Sequence, residues 1–326
     1  MQLPEHLRIA LEAEVEGSSP KELSKAREIL TQSYRSAGLD KQFMKSDLAR
    51  KSYLVSRLPA TYAAAFSALK EVLERMRGVR FHSLLDLGAG PGTVMWAAAE
   101  LLPELNQVTL LEQDQRLIEW GKELARHHSN EAVQKALWLG EDIESKTELP
   151  PHDLVVFSYS FGELSPKKME ALLDMAWAAA NICLVVVEPG TPAGFERIRF
   201  IRDYLIRKGA HLAAPCPHQL NCPMKGQDWC HFSARVQRTA LHRQIKGGSL
   251  GYEDEKFSYI AAAKIPVLVP ASRVLRQPLK RSGHVDLTLC APDEVKKTVV
   301  SKRTPEQYKY AKTLSWGDAY DISYLA

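Results

Sequence analysis

The chain lacks the features that would place it in a membrane or outside the cell. Its apolar runs, such as Ile182–Val187, are far shorter than the ~20 residues that a membrane-spanning helix needs. The N-terminus carries early acids and no basic segment followed by an apolar one, so no export or transit signal is predicted. We therefore expect a soluble, cytoplasmic protein that makes no membrane contact.

Cysteine is also scarce, with five residues in a chain of 326. Three of them, Cys216, Cys222 and Cys230, are clustered, and Cys290 is a candidate fourth member of the group. In a chain without an export signal, clustered cysteines indicate a metal more often than disulfides. Cys183 lies inside an apolar run and is predicted to be a small buried core residue.

Four thiolates would suit either a [4Fe–4S] cluster or a structural zinc ion. Three histidines near the cluster also leave a mixed Cys/His zinc site open: His218, His231 and His242. The spacing matches neither paired zinc-ribbon cysteines nor a ferredoxin run, so the residues alone do not choose between these metals.

The most informative pattern is a glycine-rich turn between an apolar run and an Ala-rich helix. The run ends at Asp86, and Gly88, Gly90 and Gly92 then form the turn. Such a turn lets backbone N–H groups approach a ligand. The Gly-Lys-Ser/Thr ending of a P-loop is missing, so the turn does not fit a nucleoside triphosphate site. The turn also departs from the Gly-x-Gly-x-x-Gly pattern, because its third glycine comes one residue too early.

Strands and helices alternate from residue 81 to about residue 189, which predicts a doubly wound parallel α/β sheet. The predicted strands are Ser83–Leu87, Gln107–Glu112, Ala136–Leu139, Leu154–Ser158 and Ile182–Glu188. The preceding residues are predicted to be helical, including helices at Asp47–Arg57 and Ala60–Arg77, and to form a lid in front of the sheet.

Polar residues follow the predicted strands at the ligand-binding edge of such a sheet. Glu112 lies ~20 residues beyond the glycines, where a carboxylate accepts hydrogen bonds from ribose hydroxyls. Asp114 is the alternative for that role. Asp142 is a candidate partner for an adenine amino group. Ser158, at the end of the fourth strand, is expected to lie at the mouth of the same crevice.

The net charge of +4 conceals an uneven distribution. Residues 1–190 hold 21 Lys and Arg against 27 Asp and Glu, whereas residues 191–326 hold 22 against 12. A basic C-terminal half indicates an anionic partner, with RNA as the leading candidate. One predicted basic helix face contains Arg235, Arg238, His242, Arg243 and Lys246. Further on, basic residues alternate with two tyrosines suited to base stacking: Lys296, Lys297, Lys302, Arg303, Tyr308, Lys309, Tyr310 and Lys312.

The motif Asp-x-Gly-x-Gly-x-Gly resembles the signature of class I S-adenosylmethionine-dependent methyltransferases. The resemblance implies that the loop wraps the methionine and ribose parts of the cofactor. It also implies a Rossmann-like sheet closed by two strands, at residues 252–260 and 284–290, the last of them antiparallel. An Asn-Pro-Pro-Tyr motif of amino-group methyltransferases is missing after the fourth strand, where Tyr159 and Glu163 are weak catalytic candidates.

We accordingly expect five regions along the chain. These are an N-terminal helical region (1–80), a cofactor-binding Rossmann-like core (81–210), a cysteine-rich metal-binding insert (211–250), closing strands of the core sheet (251–292) and a basic C-terminal extension (293–326).

Several stretches together resemble the Rsm22 family, methyltransferase-like proteins of bacteria and mitochondria associated with the small ribosomal subunit. They are Arg57-Leu-Pro-Ala-Thr-Tyr62, the glycine loop, Pro215-Cys-Pro-His218, Trp229-Cys-His-Phe232, Tyr252-Glu-Asp-Glu-Lys-Phe-Ser-Tyr259 and Trp316-Gly-Asp318. The resemblance implies a [4Fe–4S] cluster on Cys216, Cys222, Cys230 and Cys290, S-adenosylmethionine in the glycine-rich pocket, and binding to small-subunit ribosomal RNA during assembly.

Without a transit signal, the expected member is a bacterial, cytoplasmic one. Two functions stay open: an assembly factor with little or no methyl transfer, and a working ribosomal RNA methyltransferase. A radical S-adenosylmethionine enzyme is not expected, because four thiolates would close the cluster.

Overall fold

In the described part of the chain, four helices precede the first strand. The structure is a computed structural model, and it describes residues 1–35, 46–126 and 128–321. The helices are α1 (Glu5–Glu14), α2 (Pro20–Arg35), α3 (Asp47–Ser56) and α4 (Leu58–Arg75). Ser46 begins α3, because its side-chain oxygen accepts a hydrogen bond from the Ala49 N–H at 3.1 Å. The two helices predicted in this region are therefore present as α3 and α4.

The middle of the chain forms an eight-stranded sheet with helices between the strands. Its strands are β1 (Ser83–Leu87), β2 (Gln107–Leu111), β3 (Leu137–Leu139), β4 (His152–Ser158), β5 (Ala180–Pro189), β6 (His211–Ala214), β7 (Phe232–Gln237) and β8 (Tyr252–Ala263). Its helices are α5 (Thr93–Leu101), α6 (Gln115–Ala125), α7 (Glu131–Gln134), α8 (Met169–Ala179), α9 (Pro192–Arg207) and α10 (Ala240–Lys246).

The strand order β3-β2-β1-β4-β5-β8-β6 reverses direction at β1, which is the arrangement of a doubly wound fold. Strands β1 to β5 are parallel, and β8 is antiparallel to β5. Every residue of β1 is buried because packed layers cover both faces of the sheet. The predicted Rossmann-like α/β core is confirmed.

The prediction for the closing strands was half right. Strand β8 is present and closes the sheet. It is itself the antiparallel strand, whereas His284–Cys290, for which that orientation was predicted, is not its neighbour. The edge of β8 opposite β5 is already occupied, by β7 along Tyr252–Phe257 and by β6 along Ala261–Ala263. The cysteine-rich segment leaves the sheet between these two short strands, which together take the position beside β8 that was predicted for His284–Cys290.

His284–Cys290 belongs to a second, five-stranded sheet. The elements of this part are β9 (Ser272–Val274), β10 (Leu279–Lys280), β11 (His284–Cys290), β12 (Val295–Ser301), α11 (Pro305–Thr313) and β13 (Ala319–Tyr320). The alternating residues Val285, Leu287 and Leu289 are buried and share a core with α11. Residues 293–321 are thus part of a folded sheet, and the boundary expected at residue 292 falls between two paired strands.

The basic helix face predicted at residues 235–246 is not a single face. Arg235 lies on β7, and only residues 240–246 form a helix. Arg238 and Lys246 both bind the carboxylate of Glu253, at 2.9 and 2.7 Å, and Arg235 binds Asp254. These basic residues are therefore engaged within the protein.

Among the helices of the described residues, none combines the length and apolar character needed to cross a bilayer.

Candidate functional site

The glycine loop lies at the carboxyl end of β1, where ligands bind in doubly wound sheets. The backbone N–H groups of Gly88 and Ala89 donate to the Leu111 carbonyl at 2.9 and 3.1 Å, which ties the loop to β2. Gly88, Gly90 and Gly92 all have positive φ, at 73°, 55° and 80°. A Cβ on Gly88 would lie 2.5 Å from the Ser160 Cβ, so this position excludes any side chain.

Asp86 lies in β1 directly before this loop and is fully buried. Neither of its carboxylate oxygens has a hydrogen-bond partner among the described residues. Burial, with a smaller contribution from the charge of Glu112, raises the pKa of Asp86 to about 8. A buried acid left unsatisfied in this way is costly, and such groups are typical of ligand sites.

Glu112 follows β2 and braces the loop from the side. One of its carboxylate oxygens accepts a hydrogen bond from the Gly90 N–H, and the other accepts one from the Asp114 N–H, both at 2.8 Å. Burial raises its pKa, although these two backbone donors oppose the shift. Glu112 therefore lies beside the glycine loop, and its contact with ribose hydroxyls stays a prediction.

The other two predicted carboxylates act as helix caps. Asp114 accepts hydrogen bonds from the first N–H groups of α6 and binds the guanidinium of Arg50 at 3.1 Å. Asp142 accepts a hydrogen bond from the Glu144 N–H at 3.0 Å and begins a short 3-10 turn. Both carboxylates lie at the same end of the sheet as the loop, and both have local partners.

The end of β4 faces the loop from the opposite side. The Ser158 hydroxyl is buried and has no partner in the described part of the chain. Tyr159 has a left-handed φ of 59°, and its hydroxyl donates to the Glu255 carboxylate at 2.9 Å. Burial and the charge of Glu255 raise the pKa of Tyr159 well above its usual value. Glu163 is exposed on the following 3-10 turn.

The four predicted cysteine ligands line a single cavity. Cys216 follows β6, Cys222 lies in the segment between β6 and β7, Cys230 precedes β7, and Cys290 ends β11. Three prolines, several apolar side chains, three arginines, Ser258 and His218 complete the wall. The cavity therefore lies where the two sheets meet, and it uses side chains from both.

Burial favours the neutral form of three of the thiols in this cavity. Burial raises the pKa of Cys222, Cys230 and Cys290, in the last case to about 12, and neighbouring thiolate charges add to each shift. Two buried arginines oppose that charge. The positive charges of Arg202 and Arg273 both oppose the rise in the pKa of Cys290. No local signal marked these arginines, because their partners are distant in the sequence.

The three candidate histidines are not equivalent. His218 lines the cavity, and its Nε2 lies 3.7 Å from the Cys290 sulfur. His231 stacks on Trp229, and His242 lies 3.5 Å from Glu253. Of the histidines considered for a mixed site, only His218 is therefore placed to contribute.

Within residues 1–35, 46–126 and 128–321, no three Cys, His, Asp or Glu side chains converge as a preformed site for a single metal ion. The four thiols instead surround a common space. Cys183 is separate from them and fully buried in β5, as predicted, where burial raises the pKa of its thiol to about 12.

A family model described as "Mitochondrial small ribosomal subunit Rsm22" matches residues 47–321, which include both sheets, the glycine loop and all four cavity cysteines. The chain belongs to the Rsm22 family. The resemblance noted in the sequence is thereby confirmed.

Several curated proteins are similar to this chain, and each is longer than the part that it matches. "Ribosome assembly protein METTL17, mitochondrial" of Homo sapiens is 27% identical over 288 residues, covering 83% of this chain and 62% of that protein. "Ribosome assembly protein RSM22, mitochondrial" of Saccharomyces cerevisiae is 22% identical, covering 82% and 66%. A tandem Rsm22-cox11 protein of Schizosaccharomyces pombe is 24% identical, covering 83% and 43%. The chain thus spans less than two thirds of each relative's length.

These matches correct the expected location. The family description and the names of all three relatives contain the word mitochondrial. The expectation of a bacterial, cytoplasmic protein is therefore wrong. That expectation came from the N-terminal residues alone, which lie outside the matched range.

Solved structures match at lower similarity. Magnesium protoporphyrin IX methyltransferase of Synechocystis aligns with a TM-score of 0.41 and 11% identity, over 74% of this chain and 97% of that one. A similarity of this size supports no conclusion about function.

Asp86→Asn is expected to stabilise the protein, by an amount that grows from about pH 4 to about pH 8. The unfolded aspartate loses its proton near pH 3.8, whereas the folded one keeps it to about pH 8. Between these values the folded state binds the extra proton, so its stability falls as the pH rises. Asparagine is neutral throughout. Thermal unfolding at several pH values measures the difference, at about 2–4 °C per kcal/mol. An equal difference in Tm at pH 5 and pH 8 would contradict the assignment.

Proposed function

We propose that this chain is an assembly factor of the small ribosomal subunit, which binds ribosomal RNA, S-adenosylmethionine and a [4Fe–4S] cluster. The observation that carries the proposal is the family match, which runs from residue 47 to residue 321. Two relatives are named ribosome assembly proteins. The site chemistry supports each of the three ligands in turn.

The glycine loop suits S-adenosylmethionine because of the unsatisfied acid behind it. The cofactor carries an ammonium and a sulfonium group, and a positive charge near Asp86 would restore its ionised form. The positive φ values leave the loop free of side chains, so its N–H groups can approach the ligand. Glu112, Asp142 and Ser158 complete the proposed contacts, with Glu112 serving the ribose hydroxyls.

The cavity suits a [4Fe–4S] cluster because its donors are four thiols that surround a common space. They do not converge on one position, as the ligands of a single metal ion would. Metal ions bind the deprotonated form of each thiol, and the positive charge of Arg202 and Arg273 would offset the charge of the resulting thiolates. When bound, the cluster would supply a closed, cross-linking centre between the two sheets. A structural zinc ion on the same four thiols is the alternative.

The C-terminal sheet and its helix supply the proposed RNA surface. Six basic residues there are exposed: Lys296, Lys297, Lys302, Arg303, Lys309 and Lys312. The two tyrosines among them are not available for base stacking, since Tyr308 is buried and Tyr310 stacks on Tyr320. We therefore propose phosphate contacts as the basis of binding, which is typical of sequence-independent recognition.

One observation favours the alternative function, a working ribosomal RNA methyltransferase. The strained left-handed backbone of Tyr159 lies beside the loop, and strain of this kind is common at active sites. The hydroxyl of Tyr159, however, is held by Glu255, and Glu163 is exposed at the surface. Neither residue has the environment of a strong general base, so we favour the assembly factor.

Metal content tests the cavity. Protein purified without oxygen is expected to contain about four irons and four sulfides per chain. Separate serine variants of Cys216, Cys222, Cys230 and Cys290 should each lose them, because each removes one ligand of a closed cluster. Cys183→Ala is the matched control and should keep the full content. One zinc and no iron would replace the cluster with a zinc site, and neither metal would overturn the proposal.

Salt dependence of RNA binding tests the proposed surface. The double variant Lys296→Gln, Lys297→Gln should bind small-subunit RNA more weakly and lower the slope of log K against log salt. The magnitude of this slope should fall by about 0.7–0.9 for each phosphate contact that is lost. Lys21→Gln on α2, also an exposed lysine, is the control and should leave the slope unchanged. Equal slopes for all three proteins would place the RNA elsewhere.

Methyl incorporation separates the two functions. With labelled S-adenosylmethionine and small-subunit assembly intermediates, the assembly factor should transfer no label above background while the cofactor is bound. Incorporation that is lost in Asp86→Asn would favour the methyltransferase instead.

A further inference from the structure

Helix α3 lies close to the glycine loop and to the residues that follow β2. Near its start, the Arg50 guanidinium binds the Asp114 carboxylate, with Nη2–Oδ2 and Nε–Oδ2 distances of 3.1 and 3.2 Å. Both side chains are mostly shielded from solvent, at 16% and 21% exposure, so this pair is worth more than a surface ion pair. The pair fixes α3 to the residues that follow β2.

In the middle of α3, Tyr53 reaches over the loop. A Cβ placed on Gly90 would lie 3.8 Å from the Tyr53 hydroxyl oxygen, and no other heavy atom outside the loop comes as near to that point. The hydroxyl therefore faces the one glycine of the three that has open space above it. Tyr53, a side chain from a helix outside the sheet, therefore lies next to the glycine loop.

The charges around Tyr53 fit this location. Burial raises the pKa of Tyr53 to about 12, opposed by the positive charge of Arg57 and reinforced by the negative charges of Glu163 and Glu112. The hydroxyl is thus a neutral O–H donor at physiological pH, and it lies within the electrostatic reach of residues that follow β2, β4 and α3.

We infer that α3 is a wall of the cofactor site and that the Tyr53 hydroxyl donates a hydrogen bond to an oxygen of the S-adenosyl ligand held on the glycine loop. Arg50 and Asp114 are positioning residues, which act through the placement of Tyr53. This inference depends on the proposed binding of S-adenosylmethionine and adds a contact from outside the Rossmann-like core.

A structural role for the hydroxyl is the competing explanation. The side chain of Thr61, on α4, acts on the Tyr53 hydroxyl and lowers its pKa, so removal of the hydroxyl also removes an interaction between two helices. Thr61→Val removes the same contact but leaves the tyrosine hydroxyl in place. The two variants therefore separate the ligand role from the structural one.

The test is calorimetric titration with S-adenosylhomocysteine. Tyr53→Phe is expected to weaken binding by about two- to tenfold, the range for one lost hydrogen bond, whereas Thr61→Val should bind like the unaltered protein. Equal losses in both variants, or an unchanged affinity in Tyr53→Phe, would overturn the inference and leave the proposed cofactor in place. No binding by the unaltered protein would overturn both.

The positioning role of Arg50 has its own readout. Arg50→Gln should weaken binding, and in that background Tyr53→Phe should cost less than it does alone, because the hydroxyl is no longer held over the loop. Additive losses in the double variant would show that Arg50 does not act through Tyr53.

Discussion

The buried guanidinium of Arg273 joins the three parts of this protein. Its side chain is 1% exposed, its Nε donates to the Pro215 carbonyl at 2.7 Å, and its Nη1 donates to the Gly317 carbonyl at 2.9 Å and pairs with Glu71 on α4. A buried cation is tolerated only when it is bonded to this extent. This one side chain therefore contacts the helical region, the cysteine segment and the second sheet together.

The cysteine cavity depends on that junction. Three of its thiols come from the segment between β6 and β7, and the fourth comes from β11 in the other sheet. Arg273, on the strand beside Cys290, bonds to the residue before Cys216 and so helps to hold the thiols of the two sheets together. A metal in this cavity would strengthen the same junction, and the exposed basic residues on β12 would then be carried by a sheet fixed to the core.

The cofactor loop shows the opposite use of burial. Asp86 is fully buried with no partner, which lowers the stability of the protein at neutral pH. Glu112 and the positive-φ glycines keep the loop in shape without satisfying that acid. Ligand sites commonly retain destabilising groups of this kind, because the group is satisfied only when the ligand binds.

Local patterns in the sequence were enough to determine the glycine loop, the five parallel strands and the identity of the clustered cysteines, since each depends on neighbouring residues. Only the tertiary structure decided which edge of β8 was occupied, and so placed His284–Cys290 in a second sheet. It also decided that Tyr308 is buried and that Lys246 binds Glu253. The sequence pattern alone had indicated that both residues belong to basic, RNA-binding surfaces. Tyr53 acquired its place over Gly90 in the same way. Each of these depends on a partner distant in the chain, and no local pattern encodes which distant residue will be adjacent.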